Sequence, residues 1–142
     1  MNGAYLIAEM FAYYKTRGIS LLEKLDELFS TYGYCLNTLH SFTFEGASGF
    51  TKMQEIMKEF HKGLDSIGGL KVEITEDYSK DLNGLPKSDV LKYILENNCS
   101  VVVRPSSTEP KLKTYFSVSA KTKDNTEKSG KKITEELNEV FV

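Results

Sequence analysis

The residues best suited to chemistry lie in one short loop, residues 104–110, with the sequence RPSSTEP. The Arg104 guanidinium offers a planar fork of N–H donors that matches phosphate oxygens. Three hydroxyls follow it, at Ser106, Ser107 and Thr108, and prolines near both ends fix φ and lower the entropy cost of ordering the loop. These residue types favour a site for a phosphate group on a small ligand, although a loop of this composition, taken alone, is more often a surface turn.

Two predicted strands flank this loop and must hold it in place. The first covers 99–104 and contains three consecutive valines, and the second covers 111–120. In the second strand Leu112, Phe116 and Val118 alternate with polar residues, which is typical of a strand with one buried face. The loop is therefore predicted at a corner between two adjacent strands.

Apolar spacing and capping signals predict five helices and two further strands in the rest of the chain. The predicted helices cover 4–15, 21–30, 50–62, 89–96 and 124–140, and the predicted strands cover 34–44 and 70–75. The second helix opens with a capping box from Ser20 to Glu23, and its leucines are expected to be buried. The fourth helix is short and has Ser88 as its expected cap.

The mixed order of these elements predicts an α+β fold. Adjacent strands favour a mostly antiparallel, four-stranded sheet with helices on one face, preceded by two helices. In the strand 70–75, Val72 and Ile74 alternate with charged residues, as expected for a half-buried strand. The polar stretch that follows contains Asn83–Gly84, a turn signal.

Bulk composition excludes several classes of function. The chain has 142 residues, 40% hydrophobic and 27% charged, which predicts one folded domain with an appended piece. A net charge of -2 gives no global reason to bind nucleic acid or an anionic membrane. A sheet face that binds nucleic acid is a weaker alternative, since the sequence shows no ladder of aromatic and basic residues. No apolar run is long enough to span a bilayer, so a cytoplasmic location is expected.

The other reactive side chains give no recognisable site. Cys35 and Cys99 are far apart and lack metal-like spacing, so both are interpreted as buried, reduced thiols. His40 and His61 have no nucleophile or metal partner nearby in sequence and are interpreted as structural or solvent-facing.

The loop and its strands resemble the phosphate-binding loop of the alpha-D-phosphohexomutases, the family of phosphoglucomutase and phosphomannomutase. Residues 101–111 carry the specific part of this resemblance, because the family pattern is Arg-Pro-Ser-Gly-Thr-Glu-Pro. Residues 44–46 and 84–90 resemble segments of the phosphoglucomutase and phosphopentomutase branch. Ser107 stands where the family has glycine, which would allow positive φ and a close backbone approach.

The resemblance implies that the loop grips the phosphate of a hexose 1-phosphate or 6-phosphate. It assigns this contact to Arg104, Ser106, Ser107 and Thr108. Lys113 is a further candidate, because the family often has a basic residue on the strand after the loop.

The resemblance also implies a domain organisation. Residues 34–142 would be the fourth and last mutase domain, with a fold like that of the TATA-binding protein. Residues 1–33 would be the helical tail of the preceding third domain, since residues 4–15 resemble a helix near its end. The expected partners are the sugar phosphate and the upstream mutase domains in the same polypeptide.

The family's catalytic phosphoserine, magnesium loop and sugar-selecting loop have no counterpart in this sequence. The chain by itself is therefore expected to have no catalytic residue and no metal site. Mg²⁺ is expected in another domain of the full-length enzyme, an isomerase that transfers phosphoryl groups through a phosphoserine and a bisphosphate intermediate. Two alternatives stay open: a free-standing phosphate-binding or interaction module, and a member of the phosphopentomutase branch.

Overall fold

The computed structural model describes residues 2–46, 48–82 and 84–141, and these form two compact units. We call Met1–Tyr34 the helical unit and Cys35–Val142 the sheet unit. Asn83, half of the predicted turn at 83–84, lies outside the described residues, whereas Gly84 has a φ of +72°.

The helical unit contains the two predicted helices, α1 (Asn2–Lys15) and α2 (Leu21–Tyr32). The capping box is confirmed, because the Glu23 N–H donates to the Ser20 hydroxyl at 3.1 Å and the Ser20 N–H donates to the Glu23 carboxylate at 2.7 Å. These two hydrogen bonds satisfy donors that the first turn of a helix leaves free.

The prediction that the leucines of α2 are buried is wrong for the helical unit. None of the described residues of α1 and α2 is buried, and Leu22 is 74% exposed. The physical reason is size, because two short helices cannot enclose a core without a further layer to pack against.

The sheet unit contains a six-stranded sheet and two long helices. Its elements are β1 (Tyr34–Thr43), whose first residue is the last of the helical unit, α3 (Gly49–His61), β2 (Ser66–Ile67), β3 (Leu70–Asp77), β4 (Leu91–Leu95), β5 (Cys99–Pro105), β6 (Lys111–Ala120) and α4 (Lys123–Phe141). The strands lie in the order β1-β6-β5-β4-β3-β2, and the neighbouring pairs from β2 to β6 are antiparallel. The α+β architecture is confirmed, with six strands in place of the predicted four.

The predicted short helix at 89–96 is wrong, because this segment forms β4. Leu91, Tyr93 and Leu95 are buried while the residues between them are half-buried, which is the period-two pattern of a strand. A short apolar run does not distinguish a helix from a buried strand by periodicity alone. Pairing with β3 and β5 on either side decides between them here.

Both helices of the sheet unit pack on the same face of the sheet, as predicted. One core cluster joins buried residues of α3, α4 and the strands, namely Met53, Ile56, Met57, Phe60, Ile67, Leu91, Tyr93, Leu95, Cys99, Val101, Val103, Leu112, Phe116, Val118, Ile133, Leu137 and Phe141. The buried Tyr93 hydroxyl donates to the Phe60 carbonyl at 2.6 Å and ties α3 to β4.

The two cysteines differ in burial. Cys99 is a buried free thiol, as predicted, whereas Cys35 is a free thiol that is exposed. No helix among the described residues is both long and apolar enough to cross a bilayer.

Candidate functional site

The pairing of β5 with β6 places two cations side by side. Arg104 at the end of β5 lies directly opposite Lys113 on β6. Neither side chain forms an ion pair within the part of the chain that the structure describes. Like charges opposite each other on antiparallel strands are destabilising, so this arrangement favours an anion between or beside them.

The loop 104–110, which we call the Arg104 loop, is held at its base by backbone hydrogen bonds. The Ser106 N–H donates to the Lys111 carbonyl at 2.8 Å, and the Phe44 N–H donates to the Pro110 carbonyl at 2.9 Å. Inside the loop, the Ser106 hydroxyl lies 3.4 Å from the Thr108 hydroxyl. The loop therefore brings two hydroxyls together close to the paired cations.

The backbone at Ser107 shows that serine is compatible with this loop. Among the described residues, the non-glycine residues with positive φ are Asn97 and Asn98. Ser107 therefore does not occupy the left-handed region in which a side chain would be strained. The replacement of the family's glycine costs no backbone strain here.

A cavity of about 420 Å³ opens beside the Arg104 loop. We call it the Arg104 pocket, and its lining residues are Phe50, Met53, Gln54, Ser88, Asp89, Val90, Arg104, Pro105, Ser106, Ser107 and Lys113. Four of the five predicted phosphate contacts thus line one cavity. Thr108 does not line this cavity, but its hydroxyl and its N–H both lie close to the hydroxyl of Ser106, which does.

Sequence reasoning missed two of the walls of the Arg104 pocket. The first turns of α3 contribute one wall, which includes Phe50, a side chain that is 42% exposed. The segment 88–90 contributes the other wall and was hidden by the mistaken helix prediction. Its backbone continues the β3–β4 ladder, since the Tyr78 N–H donates to the Val90 carbonyl at 3.0 Å.

His61, interpreted from sequence as structural or solvent-facing, lies between two carboxylates. Its Nε2 is 3.0 Å from Asp89 Oδ1 and its Nδ1 is 3.2 Å from Asp77 Oδ2. Asp77 also accepts hydrogen bonds from Ser79 and contacts Lys80 at 3.2 Å. No local sequence signal could have shown this cluster, because its members come from α3, the end of β3 and the segment before β4.

The surroundings of Asp77 lower the pKa of its carboxyl group. Burial raises this pKa, but hydrogen bonds from the Ser79 hydroxyl and N–H, the contact with Lys80 and the charge of His61 outweigh burial. The pKa of Asp77 falls to about 2.

Within the described residues, no group of three or more His, Cys, Asp and Glu side chains is suited to hold a metal ion.

The sequence is similar to one known protein family and to individual phosphoglucomutases. The family model for the phosphoglucomutase/phosphomannomutase C-terminal domain matches residues 48–137, which is more than half of the chain. A phosphoglucomutase of Staphylococcus saprophyticus is 35% identical over 113 residues, covering 71% of this chain and 20% of that protein. A phosphoglucomutase of Staphylococcus aureus (strain MRSA252) is 34% identical over 125 residues, covering 80% of this chain and 22% of that protein.

A solved structure shows the same fold. It is the open form of the exocytosis-sensitive phosphoprotein pp63/parafusin, a phosphoglucomutase from Paramecium. The TM-score is 0.57 at 17% sequence identity, over 85% of this chain and 22% of that one. The chain spans about a fifth of the length of the curated relatives it matches.

Proposed function

Because the chain belongs to the phosphoglucomutase/phosphomannomutase C-terminal domain family, we propose that its sheet unit binds the phosphate group of a hexose 1-phosphate or 6-phosphate. The observation that carries this proposal is the pair of cations, Arg104 and Lys113, opposite each other on β5 and β6 without an acidic partner among the described residues. A phosphate dianion would offset both charges and accept from the donors around it.

Each predicted contact has a chemical role in this proposal. The Arg104 guanidinium donates two parallel N–H bonds to phosphate oxygens, and the Lys113 ammonium adds a point charge. The hydroxyls of Ser106, Ser107 and Thr108 donate to the remaining oxygens. A site of this kind contacts the phosphate and not the sugar ring, so it can hold a substrate in either of two orientations.

For a whole enzyme that contains this chain, we propose isomerase activity by phosphoryl transfer. A phosphoserine in another domain would give its phosphoryl group to the free sugar hydroxyl, forming a bisphosphate and a serine hydroxyl. The other sugar phosphate would then return to the serine. Phosphoryl transfer depends mainly on positioning and charge stabilisation, and the Arg104 loop would position the substrate by its non-reacting phosphate. The Mg²⁺ that the family implies would be held by another domain of that enzyme.

The helical unit fits the role of a tail of the preceding mutase domain. Its exposed apolar side chains, such as Leu6, Met10 and Leu22, would be covered by that domain. A cytoplasmic location and the absence of nucleic-acid and membrane partners belong to the same proposal. The alternatives of a free-standing module and of a phosphopentomutase would use the same phosphate contacts.

The test is a titration of the chain with glucose 6-phosphate, followed by backbone amide chemical shifts. We expect shifts in the Arg104 loop of the wild type. In Arg104→Ala, loss of a charge-assisted pair should cost roughly 2–4 kcal/mol, or about 30- to 1000-fold in Kd. Lys121→Ala, which removes an exposed lysine outside the pocket, is the control and should bind like the wild type. An unchanged Kd in Arg104→Ala would overturn the proposal.

A further inference from the structure

His61 joins three parts of the sheet unit at the edge of the Arg104 pocket. It is the last residue of α3, and its two ring nitrogens reach Asp77 at the end of β3 and Asp89 in the pocket wall. An imidazolium donates from both nitrogens, whereas a neutral imidazole has a single N–H. Each ring nitrogen faces a carboxylate oxygen, so a ring that donates from both nitrogens would satisfy both contacts.

Asp89 is the one carboxylate in the lining of the Arg104 pocket as the structure describes it. A negative charge there opposes a phosphate dianion, since like charges close together in a partly desolvated site repel each other. The contact with His61 at 3.0 Å offsets that charge and fixes the direction of the side chain.

The charges around His61 balance only when its ring is protonated. Lys80 contacts Asp77 at 3.2 Å, so the four groups Lys80, Asp77, His61 and Asp89 sum to zero with a protonated ring. With a neutral ring the sum is one negative charge beside the pocket. A further titratable group close to Asp77 is Tyr93, whose pKa is raised to about 12 by burial and then by Asp77, so it stays neutral.

The backbone of the Asp89 segment is fixed independently of His61. The Tyr78 N–H donates to the Val90 carbonyl at 3.0 Å, and the Ser88 N–H donates to the Tyr78 carbonyl at 2.9 Å. Removing the imidazole therefore frees the Asp89 side chain while the ladder still holds the segment on either side of it.

We propose that His61 is a positioning residue of the Arg104 pocket, which holds Asp89 and neutralises it so that a dianionic phosphate can bind. This inference depends on the proposed phosphate-binding function. The pocket would bind the anion more tightly when His61 is protonated. When the ring is absent or neutral, the charge of Asp89 would oppose the anion.

The experiment measures sulfate binding by amide chemical shifts at about pH 6 and about pH 8, on either side of the ordinary histidine range. Sulfate is chosen because it keeps both negative charges over this interval, unlike phosphate. For the wild type we expect Kd to rise about three- to tenfold between the two pH values, a modest change because Asp89 is 53% exposed. His61→Ala should bind sulfate weakly at both pH values.

The rescue variant separates positioning from a merely structural role. His61→Ala combined with Asp89→Asn should recover the wild-type Kd at about pH 6 and keep it at about pH 8. Lys58→Ala, which removes an exposed cation from the same helix, is the charge-matched control and should keep the wild-type pH profile. Unchanged binding in His61→Ala, or a double variant as weak as the single one, would overturn the inference.

The outcome for Arg104→Ala tells the two proposals apart. If that variant loses sulfate while His61→Ala does not, the phosphate site stands and the role of His61 is wrong. If the wild type and Arg104→Ala show no difference, the proposed function fails and this inference fails with it.

Discussion

Helix α2 of the helical unit and the two helices of the sheet unit have similarly one-sided apolar faces, yet their burial differs. Residues of α3 and α4 such as Met53, Phe60 and Ile133 are at most 3% exposed. In α1 and α2 no described residue is buried. The spacing of apolar residues therefore specifies a helix and the face it can bury, whereas burial itself depends on a sheet against which that face can pack.

The two units are also stabilised by different kinds of interaction. The helical unit is supported by local interactions, such as the capping box at Ser20 and an ion pair of 2.6 Å between Lys24 and Glu27. The sheet unit is supported by a shared core and by long-range bonds such as that from Tyr93 to the Phe60 carbonyl. Three substitutions or conditions should affect the two units unequally.

The largest effect is expected from Leu95→Ala in β4. Leu95 is fully buried in the shared core, and removing such a side chain leaves a cavity that costs about 2–5 kcal/mol of unfolding free energy. Urea denaturation followed by circular dichroism measures this loss. Leu112→Met, which nearly conserves volume at another buried core position, should cost less than about 1.5 kcal/mol. A loss below about 1 kcal/mol in Leu95→Ala would contradict the assigned core.

A smaller effect is expected from acid. The pKa of Asp77 is about 2 when folded and 3.8 ordinarily, so the unfolded state takes up a proton first as pH falls. Asp77 therefore contributes of order 2 kcal/mol to the unfolding free energy. This contribution is complete above the ordinary pKa and is lost as pH falls from about 4 toward 2.

Unfolding free energy measured across this pH range should therefore fall more steeply for the wild type than for Asp77→Asn. The control is Asp124→Asn, at an exposed position at the start of α4, which should leave the slope unchanged. Equal slopes for the wild type and Asp77→Asn would show that Asp77 has no special role in acid stability.

The smallest effect is expected from Leu22→Gln in α2. Leu22 is 74% exposed in the described structure, and exposed substitutions between good helix formers change stability by less than about 0.5 kcal/mol. The unfolding midpoint of the chain should therefore stay the same. A clear loss of stability in this variant would show that the leucine face of α2 is covered in solution.

The elements around the Arg104 loop could be predicted because their signals are local. The alternation in β6 and the valines of β5 identify two strands, and the residues between them identify a corner. The position of Arg104 opposite Lys113 then follows from the antiparallel register. The role of these residues in binding phosphate stays a prediction.

The parts that could not be predicted depend on long-range pairing. β4 became a strand because β3 and β5 flank it, and the short edge strand β2 formed because β3 pairs with it. An irregularity in the β3–β4 register between Val72 and Ile74 leaves Ile74 55% exposed, against the predicted alternation. The contact from His61 to Asp89 likewise joins residues distant in sequence.

The turn between β4 and β5 has a consequence for the order in which the sheet unit assembles. It consists of Glu96–Asn98, and both asparagines adopt positive φ, with values of 60° and 56°. A connection this short costs little chain entropy to close, and the β5–β6 hairpin adds a second local closure. We therefore expect the strands that carry Arg104 and Lys113 to pair early in folding. The α3 wall of the pocket and β1 would join them afterwards, because their contacts span much longer stretches of chain.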